Sequence, residues 1–106
     1  MRSVRVLEAA EAAAWYETQR SGFGHEFRLE FKFELDRLRE GILPGTPWPG
    51  RLGAVGVKRL LMRQFPFSLV FVIEKDEAVV LAVAHHRRRP AYWRPRLSRT
   101  QRDERR

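Results

Sequence analysis

The chain has 106 residues and no cysteine, with 43% apolar and 32% charged side chains. This length predicts one domain with one core, and the missing cysteine excludes a disulfide framework and cysteine nucleophiles. The longest apolar runs are far shorter than the ~20 residues of a membrane span, and residues 1–7 do not resemble a signal peptide. We therefore expect a cytoplasmic protein that does not enter the membrane.

The net charge of +8 is distributed unevenly along the chain. Residues 8–40 contain five basic and eight acidic side chains, whereas residues 41–106 contain fourteen basic and five acidic ones. A basic half of this kind indicates a polyanionic partner, such as nucleic acid, the ribosome or an acidic protein. An arginine content set by a GC-rich genome is the alternative, but it explains the clustering less well.

A short strand and two helices are predicted in the first forty residues. Residues 3–7 alternate between apolar and polar side chains, and the alanine-rich residues 8–20 favour a helix with glutamates in its first turn. Residues 25–40 predict a second helix, and Gly22 and Gly24 are candidate C-caps of the first one. The two helices together predict a helical hairpin.

The second helix has one apolar stripe and a separate charged face. Apolar side chains recur at spacings of three and four residues, and they are Phe23, Phe27, Phe31, Leu35, Leu38 and Ile42. Glu26, Glu30 and Glu34 belong to another face, with basic residues between them. We interpret that face as solvated and the stripe as the face that packs on a sheet.

The second half of the chain predicts a loop and then three strands. Seven of the thirteen residues 41–53 are Gly or Pro, which excludes a helix or central strand and predicts a long ordered loop. Residues 55–62, 68–74 and 78–84 are rich in β-branched and large apolar side chains, as strands are. Because three to five residues connect them, they are expected to pair antiparallel.

The predicted order is therefore β-α-α-β-β-β. It indicates an α+β fold in which the helical hairpin packs on one face of a small, mostly antiparallel sheet. Residues 1–97 would form this single domain. Residues 98–106 are polar and charged throughout, so they predict a flexible basic tail. The other face of the sheet would stay partly open and would present the basic half of the chain.

Three motifs resemble the RelE/ParE superfamily of toxins from bacterial type II toxin–antitoxin systems, over residues 4–96. The first is AWYETQRSGFGHEF at residues 14–27, in the helical hairpin. The second is RLLMRQFPF at residues 59–67, and the third is VAHHRRRPAYW at residues 83–93, where the last strand ends. Their order and spacing together are the basis of the resemblance.

The resemblance implies a toxin and leaves its target open. RelE-like members cut mRNA in the ribosomal decoding site, whereas ParE-like members poison DNA gyrase and are not nucleases. It also implies a cognate antitoxin whose acidic, flexible segment folds on the basic and apolar surface of the toxin. Function has to be argued from the site, because one fold carries both activities.

Cleavage of RNA would need a base for the 2′-hydroxyl, cations around the phosphate and an acid for the leaving oxygen. RelE-like ribonucleases are similar to one another in two lysines at alternate strand positions and in arginines on neighbouring strands. On the matching strand, Arg59 and Arg63 are expected to share a face about 13 Å apart. Leu61 stands where the second lysine is expected, and Ser68 where an arginine is expected.

The end of the last strand offers further candidates for a ribonuclease site. His85 or His86 could act as acid or base, Arg87 or Arg88 could bind phosphate, and Tyr92 or Trp93 could stack on a base. If the protein is a metal-independent endoribonuclease, we expect the catalytic residues to be His85, Arg87 and Tyr92. The candidates for binding phosphate or a partner are Arg59, Arg63, Arg87, Arg88, Arg94 and Arg96.

A structural interpretation of the same residues stays open. His85 could bond a backbone carbonyl at the strand end, and Trp93 could cap the core. No metal site or cofactor is expected, because the adjacent His85 and His86 point to opposite faces and no carboxylate is near them in sequence.

The incomplete cationic set and the Phe65-Pro66-Phe67 motif favour gyrase inhibition over ribosome-dependent cleavage. For a gyrase inhibitor, the residues from Arg87 to Arg96 and the helical hairpin would be contact surface instead of chemistry. A non-toxic nucleic-acid-binding module is the third possibility. It is disfavoured because the second helix is acidic on its exposed face and lacks base-reading side chains.

Overall fold

The computed structural model describes residues 3–7, 12–41, 45–87 and 91–97. Its elements follow in the order β1 Ser3–Val6, α1 Ala12–Gln19, α2 Phe23–Arg39, β2 Thr46–Pro47, α3 Arg51–Ala54, β3 Lys58–Leu61, β4 Phe67–Glu74 and β5 Glu77–His85. The α+β fold predicted from the sequence is confirmed. The predicted tail, residues 98–106, lies outside the described part of the chain.

One five-stranded sheet has the order β1-β5-β4-β3-β2. β1 pairs parallel with β5, and the other neighbours are antiparallel. The two central strands, β4 and β5, are buried along most of their length, as expected for strands with apolar side chains on both faces.

The register of β4 and β5 contains one β-bulge. Leu69 pairs with Val83 and Val70 with Ala82, but the next pair is Phe71 with Val80. Leu81 is therefore the extra residue. Leu81 and Ala82 both belong to the core on the sheet face away from the hairpin.

The hairpin covers one face of the sheet through an aromatic cluster. Tyr16 lies within 6.1 Å of the rings of Phe23, Phe27, Phe65 and Phe67, measured between ring centroids. These contacts are edge-on or tilted, the arrangements that the ring quadrupoles favour. The predicted stripe is confirmed for Phe27 and Leu38, which are fully buried, and for Phe23, Phe31 and Leu35, which pack against the same core. Ile42 lies outside the described residues.

Gly22, which precedes α2, and Gly24, which lies inside α2, have roles other than the predicted C-caps. Gly22 has φ +85° and is the N-cap of α2, a left-handed conformation that favours glycine. Gly24 lies inside α2, where a Cβ would come within 2.3 Å of the Ala13 carbonyl oxygen, so α1 and α2 cross closely here. The Glu17 carboxylate accepts hydrogen bonds from the backbone N–H groups of both glycines at 3.0 and 3.1 Å. The bond from Gly22 is the main reason that the pKa of the Glu17 carboxyl is lowered.

Two sequence predictions about residues 34–53 are wrong. Residues 41–53 were expected to lack helix, but Arg51–Ala54 form the single turn α3, and Thr46–Pro47 form the edge strand β2. Glu34 was expected on a solvated face, but its side chain is 1% exposed. At spacings of 4, 3 and 4, Phe27, Phe31, Glu34 and Leu38 follow the buried side of α2, so Glu34 lies within the apolar stripe.

Among the described residues, no helix is long and apolar enough to cross a membrane.

Candidate functional site

The sheet face away from the hairpin is only partly covered. Trp48, Leu52, Trp93 and Leu97 close part of it over a second core of valine and leucine side chains. Beside them a groove of about 490 Å³ stays open. It is lined by Trp48, Arg59, Leu61, Ser68, Val70, Ala84, His85, His86, Ala91, Tyr92 and Trp93.

Strand register explains why side chains distant in sequence meet in this groove. Arg59 pairs with Val70 and Leu61 with Ser68, and Ser68 in turn pairs with Ala84. Paired residues of neighbouring strands point to the same face. The two positions at which RelE-like ribonucleases have a lysine and an arginine, here Leu61 and Ser68, therefore border the groove directly.

Arg59 is the arginine that the structure places in the groove wall. Its guanidinium carbon lies 5.7 Å from the ring centroid of Trp48, within range of a cation–π contact. Trp48 is held in turn by Trp93, edge-on at 5.0 Å. No Asp or Glu is among the described residues that line the groove, so the Arg59 guanidinium there favours an anionic or electron-rich ligand.

A serine–histidine pair lies at one side of the groove. Ser68 Oγ is 3.1 Å from His86 Nε2, and Ser68 is buried whereas His86 is exposed. The backbone N–H of His86 donates to the carbonyl of Pro66 at 2.9 Å, which fixes the start of the turn after β5. The sequence offered a weak signal for this pair, because Ser68 is a polar residue within the otherwise apolar run FSLVFVI.

His85 is held differently from its neighbour. Its ring packs edge-on against Phe67 at 4.9 Å between centroids, and its Nδ1 accepts the backbone N–H of Arg87 at 3.0 Å. Since Nδ1 accepts this bond, it has no proton in this arrangement, and a neutral ring would have its proton on Nε2. These contacts favour a structural role, although His85 also reaches the groove wall. A catalytic role for His85 stays a prediction.

The segment after β5 returns to the sheet and places further candidates. Tyr92 lines the groove, and the Arg96 guanidinium donates to the Leu81 carbonyl at 2.7 Å and lies 5.7 Å from the Tyr92 ring. Arg96 therefore bonds the carbonyl of the bulge residue. Arg87 and Arg94 are exposed, and Arg88 lies outside the described residues.

Arg63 does not share the groove with Arg59, contrary to the sequence prediction. β3 ends at Leu61, so strand alternation does not extend to residue 63. The backbone N–H groups of Arg63 and Gln64 donate to the Glu30 carboxylate on α2, and the Arg63 guanidinium lies 5.5 Å from the Phe33 ring. The two arginines are therefore on opposite faces of the sheet.

Within residues 3–7, 12–41, 45–87 and 91–97, no three side chains of His, Cys, Asp or Glu come together in a way that could hold a metal ion. The polar and titratable side chains that line the groove are those of Arg59, Ser68, His85, His86 and Tyr92.

Comparison with known proteins adds one finding about the fold. No protein-family model and no curated protein matches the chain. A solved structure described as the chromosomal ParDE TA system from P. aeruginosa is similar to it, with a TM-score of 0.63 and 19% sequence identity over 80% of this chain and 96% of that chain. At this identity the likeness concerns the fold, and the chain therefore has a ParE/RelE-like α+β fold.

Proposed function

We propose that this protein is the toxin of a type II toxin–antitoxin system, a cytoplasmic growth inhibitor that a cognate antitoxin neutralises and whose target is DNA gyrase. The observation that carries the proposal is the composition of the groove within a fold shared with a ParDE structure. Of the strand positions where a RelE-like ribonuclease would have cations, Arg59 is basic but Leu61 and Ser68 are not.

This composition makes phosphate chemistry difficult. A pentacoordinate phosphate needs several cations close together, and Arg63, two residues after the end of β3, lies on the opposite face at Phe33. A groove with aromatic walls and the Arg59 guanidinium suits an anchoring side chain of a protein partner. We therefore assign the groove to the contact surface. The exposed Arg87 and Arg94, which follow the groove residues His86 and Trp93 in sequence, belong to the same surface.

Ribosome-dependent mRNA cleavage is the second candidate, and one observation favours it. The groove brings together Arg59, Tyr92 and the Ser68–His86 pair, so that one cation, one stacking ring and one acid–base group surround the same space. In that case the enzyme would be a metal-independent endoribonuclease, in which the geometry favours His86 as the acid–base group, whereas the sequence favoured His85.

The first experiment induces the protein alone and with the product of the neighbouring gene, and measures growth, plasmid supercoiling and mRNA 5′ ends in the same cultures. Growth arrest with lost supercoiling and intact messages supports gyrase inhibition. New ribosome-dependent 5′ ends with normal supercoiling support the ribonuclease. Normal growth contradicts both and leaves a nucleic-acid-binding module, whose affinity would fall steeply with salt.

A pair of arginine variants ties the outcome to the groove. Arg59→Ala removes the guanidinium beside Trp48, and we expect at least a tenfold loss of gyrase inhibition, about 1.4 kcal/mol of binding. Arg51→Ala removes an exposed arginine that does not line the groove, and it should leave inhibition unchanged. Equal inhibition by both variants would remove the groove from the proposed interface.

A further inference from the structure

A second surface lies on the hairpin, on the side of α2 that faces away from α1. Leu29 and Phe33 are 55% and 48% exposed and are four residues apart, so they form one continuous apolar stripe on the helix. Together with Glu26, Glu30, Arg63 and Gln64 they line a groove of about 500 Å³ between α2 and the segment that follows β3. This groove is separate from the one on the other sheet face.

The charges of this surface are ordered along the helix. Glu26 and Glu30 lie at the N-terminal end of the stripe, whereas Arg37 and Arg63 lie around Phe33, with guanidinium carbons 5.8 and 5.5 Å from its ring centroid. Arg20 meets Glu26 at 3.5 Å in an exposed position, where ion pairs contribute little, and Arg37 is 3.7 Å from the buried Glu34. The surface is therefore acidic at one end and basic at the other.

Such a surface is complementary to itself when two copies pack antiparallel. In an antiparallel helix pair the residue numbers of facing positions add up to a constant. A sum of 62 to 63 places Leu29 of one copy on Phe33 of the other, and Glu26 of one copy beside Arg37 of the other. A two-fold axis repeats both contacts, so each copy contributes the same surface.

We propose that α2 forms an antiparallel, two-fold symmetric dimer interface with α2 of a second copy of this chain, centred on Leu29 and Phe33. The apolar pair supplies the buried centre, and the Glu26–Arg37 pairs at the two ends set orientation and register. An acidic helical segment of another protein is a poorer occupant, because Glu26 and Glu30 would repel one end of it. The dimer leaves the groove beside Trp48 free.

The test measures the mass of the full-length chain by sedimentation equilibrium from about 1 to 200 µM. We expect a reversible dimer that Glu26→Arg weakens about tenfold or more, since it places like charges together twice. Exchange of the two charges, Glu26→Arg with Arg37→Glu, should restore the dimer. Asp76→Arg, the same change of charge in the exposed β4–β5 turn, is the matched control and should dimerise as the parent does.

The charge exchange requires that Arg37→Glu folds with a second carboxylate beside the buried Glu34. A cross-linking experiment does not need that variant. The chain has no cysteine, so Glu26→Cys and Arg37→Cys each introduce a single thiol. Treated together with a short bismaleimide, the two proteins should give a mixed dimer, whereas each alone should not. Two copies of residue 26 would be about 16 Å apart along the helices at 1.5 Å per residue.

Three results would overturn the proposal. The first is a monomer over the whole concentration range, and the second is a dimer that Glu26→Arg does not weaken. The third is a chain that stays monomeric alone but binds an acidic helical peptide at Phe33, which would assign the surface to another protein.

Discussion

The two faces of the sheet differ in how completely they are covered. The hairpin seals one face with rings packed edge-on or tilted around Tyr16 and Phe27, and this cluster continues through the residues of β4 and β5 that point towards it. On the other face, Trp48 and Trp93 close part of a valine-rich core and leave the groove open. We therefore expect the hairpin face to contribute more to stability, whereas the other face keeps a groove lined by Arg59, Tyr92 and the Ser68–His86 pair.

The strongest test of this division is Phe27→Ala. Phe27 is fully buried in the aromatic cluster, so truncation should lower the free energy of unfolding by about 3–5 kcal/mol. Trp15→Ala is the control on the same hairpin, since Trp15 is 57% exposed, and it should cost at most about 1 kcal/mol. Urea unfolding followed by circular dichroism measures both, and similar losses in the two variants would contradict the division.

A smaller effect is expected from Arg96→Ala on the groove face. The variant leaves the Leu81 carbonyl without its 2.7 Å bond, which should lower the free energy of unfolding by about 1–3 kcal/mol. Arg94→Ala removes an exposed arginine of the same helical turn, residues 94–97, and should change it by less than about 0.5 kcal/mol. Equal stability of Arg96→Ala and Arg94→Ala would show that the bond from Arg96 to the Leu81 carbonyl does not stabilise the fold. Arg96 would then stay a candidate for binding a partner, as the sequence predicted.

The smallest effect, with the opposite sign, is expected from Glu34→Gln. Burial raises the pKa of the Glu34 carboxyl although Arg37 and Arg63 lower it, so the folded state holds this proton more tightly than the unfolded state. Stability should therefore fall as pH rises from the unfolded value of about 4.3 through the raised pKa. Glu34→Gln removes this dependence and should be more stable at neutral pH by roughly 1 kcal/mol.

Unfolding from pH 4 to pH 8 measures the Glu34 effect, and the difference between the two proteins should increase with pH. Among the described residues, Glu34 Oε2 is a buried side-chain oxygen that lacks a hydrogen-bond partner, which is why the amide is expected to be tolerated. Parallel pH profiles, or a less stable Glu34→Gln, would show that the Arg37 pair outweighs the burial.

The sequence predicted the elements that have a clear burial pattern. The stripe from Phe23 to Leu38 has the period of a helix buried on one side, and the apolar segments that form β4 and β5 are the near-continuous runs of strands buried on both faces. Glu34 was placed wrongly because a charged residue in a helical stripe is assigned to solvent by its type. The turn α3 was missed because Gly and Pro dominate its surroundings while Arg51-Leu52-Gly53-Ala54 contains too few residues for a helical period.

The sequence predicted where the candidate site lies, but not which of its side chains contact one another. The sequence located the basic end of β5 and the positions of Arg59, Leu61 and Ser68, because these depend on order along strands. It did not reveal the pairing of Ser68 with His86, or the packing of Trp48 over the groove. Those contacts depend on how strands far apart in sequence align, and on where the segment from Ala91 to Leu97 returns.

The extra residue in β5 acts as a phase shift in the alternation of that strand. Before it, Val80 faces the hairpin and Val79 the groove side; after it, Val83 and His85 point to the hairpin and Ala84 to the groove side. The bulge absorbs this residue, so that Ala82 still pairs with Val70 and His85 still pairs with Phe67. Deletion of Leu81 would therefore restore regular pairing and leave each residue from Ala82 to His85 on its present face, because paired residues of neighbouring strands point to the same face.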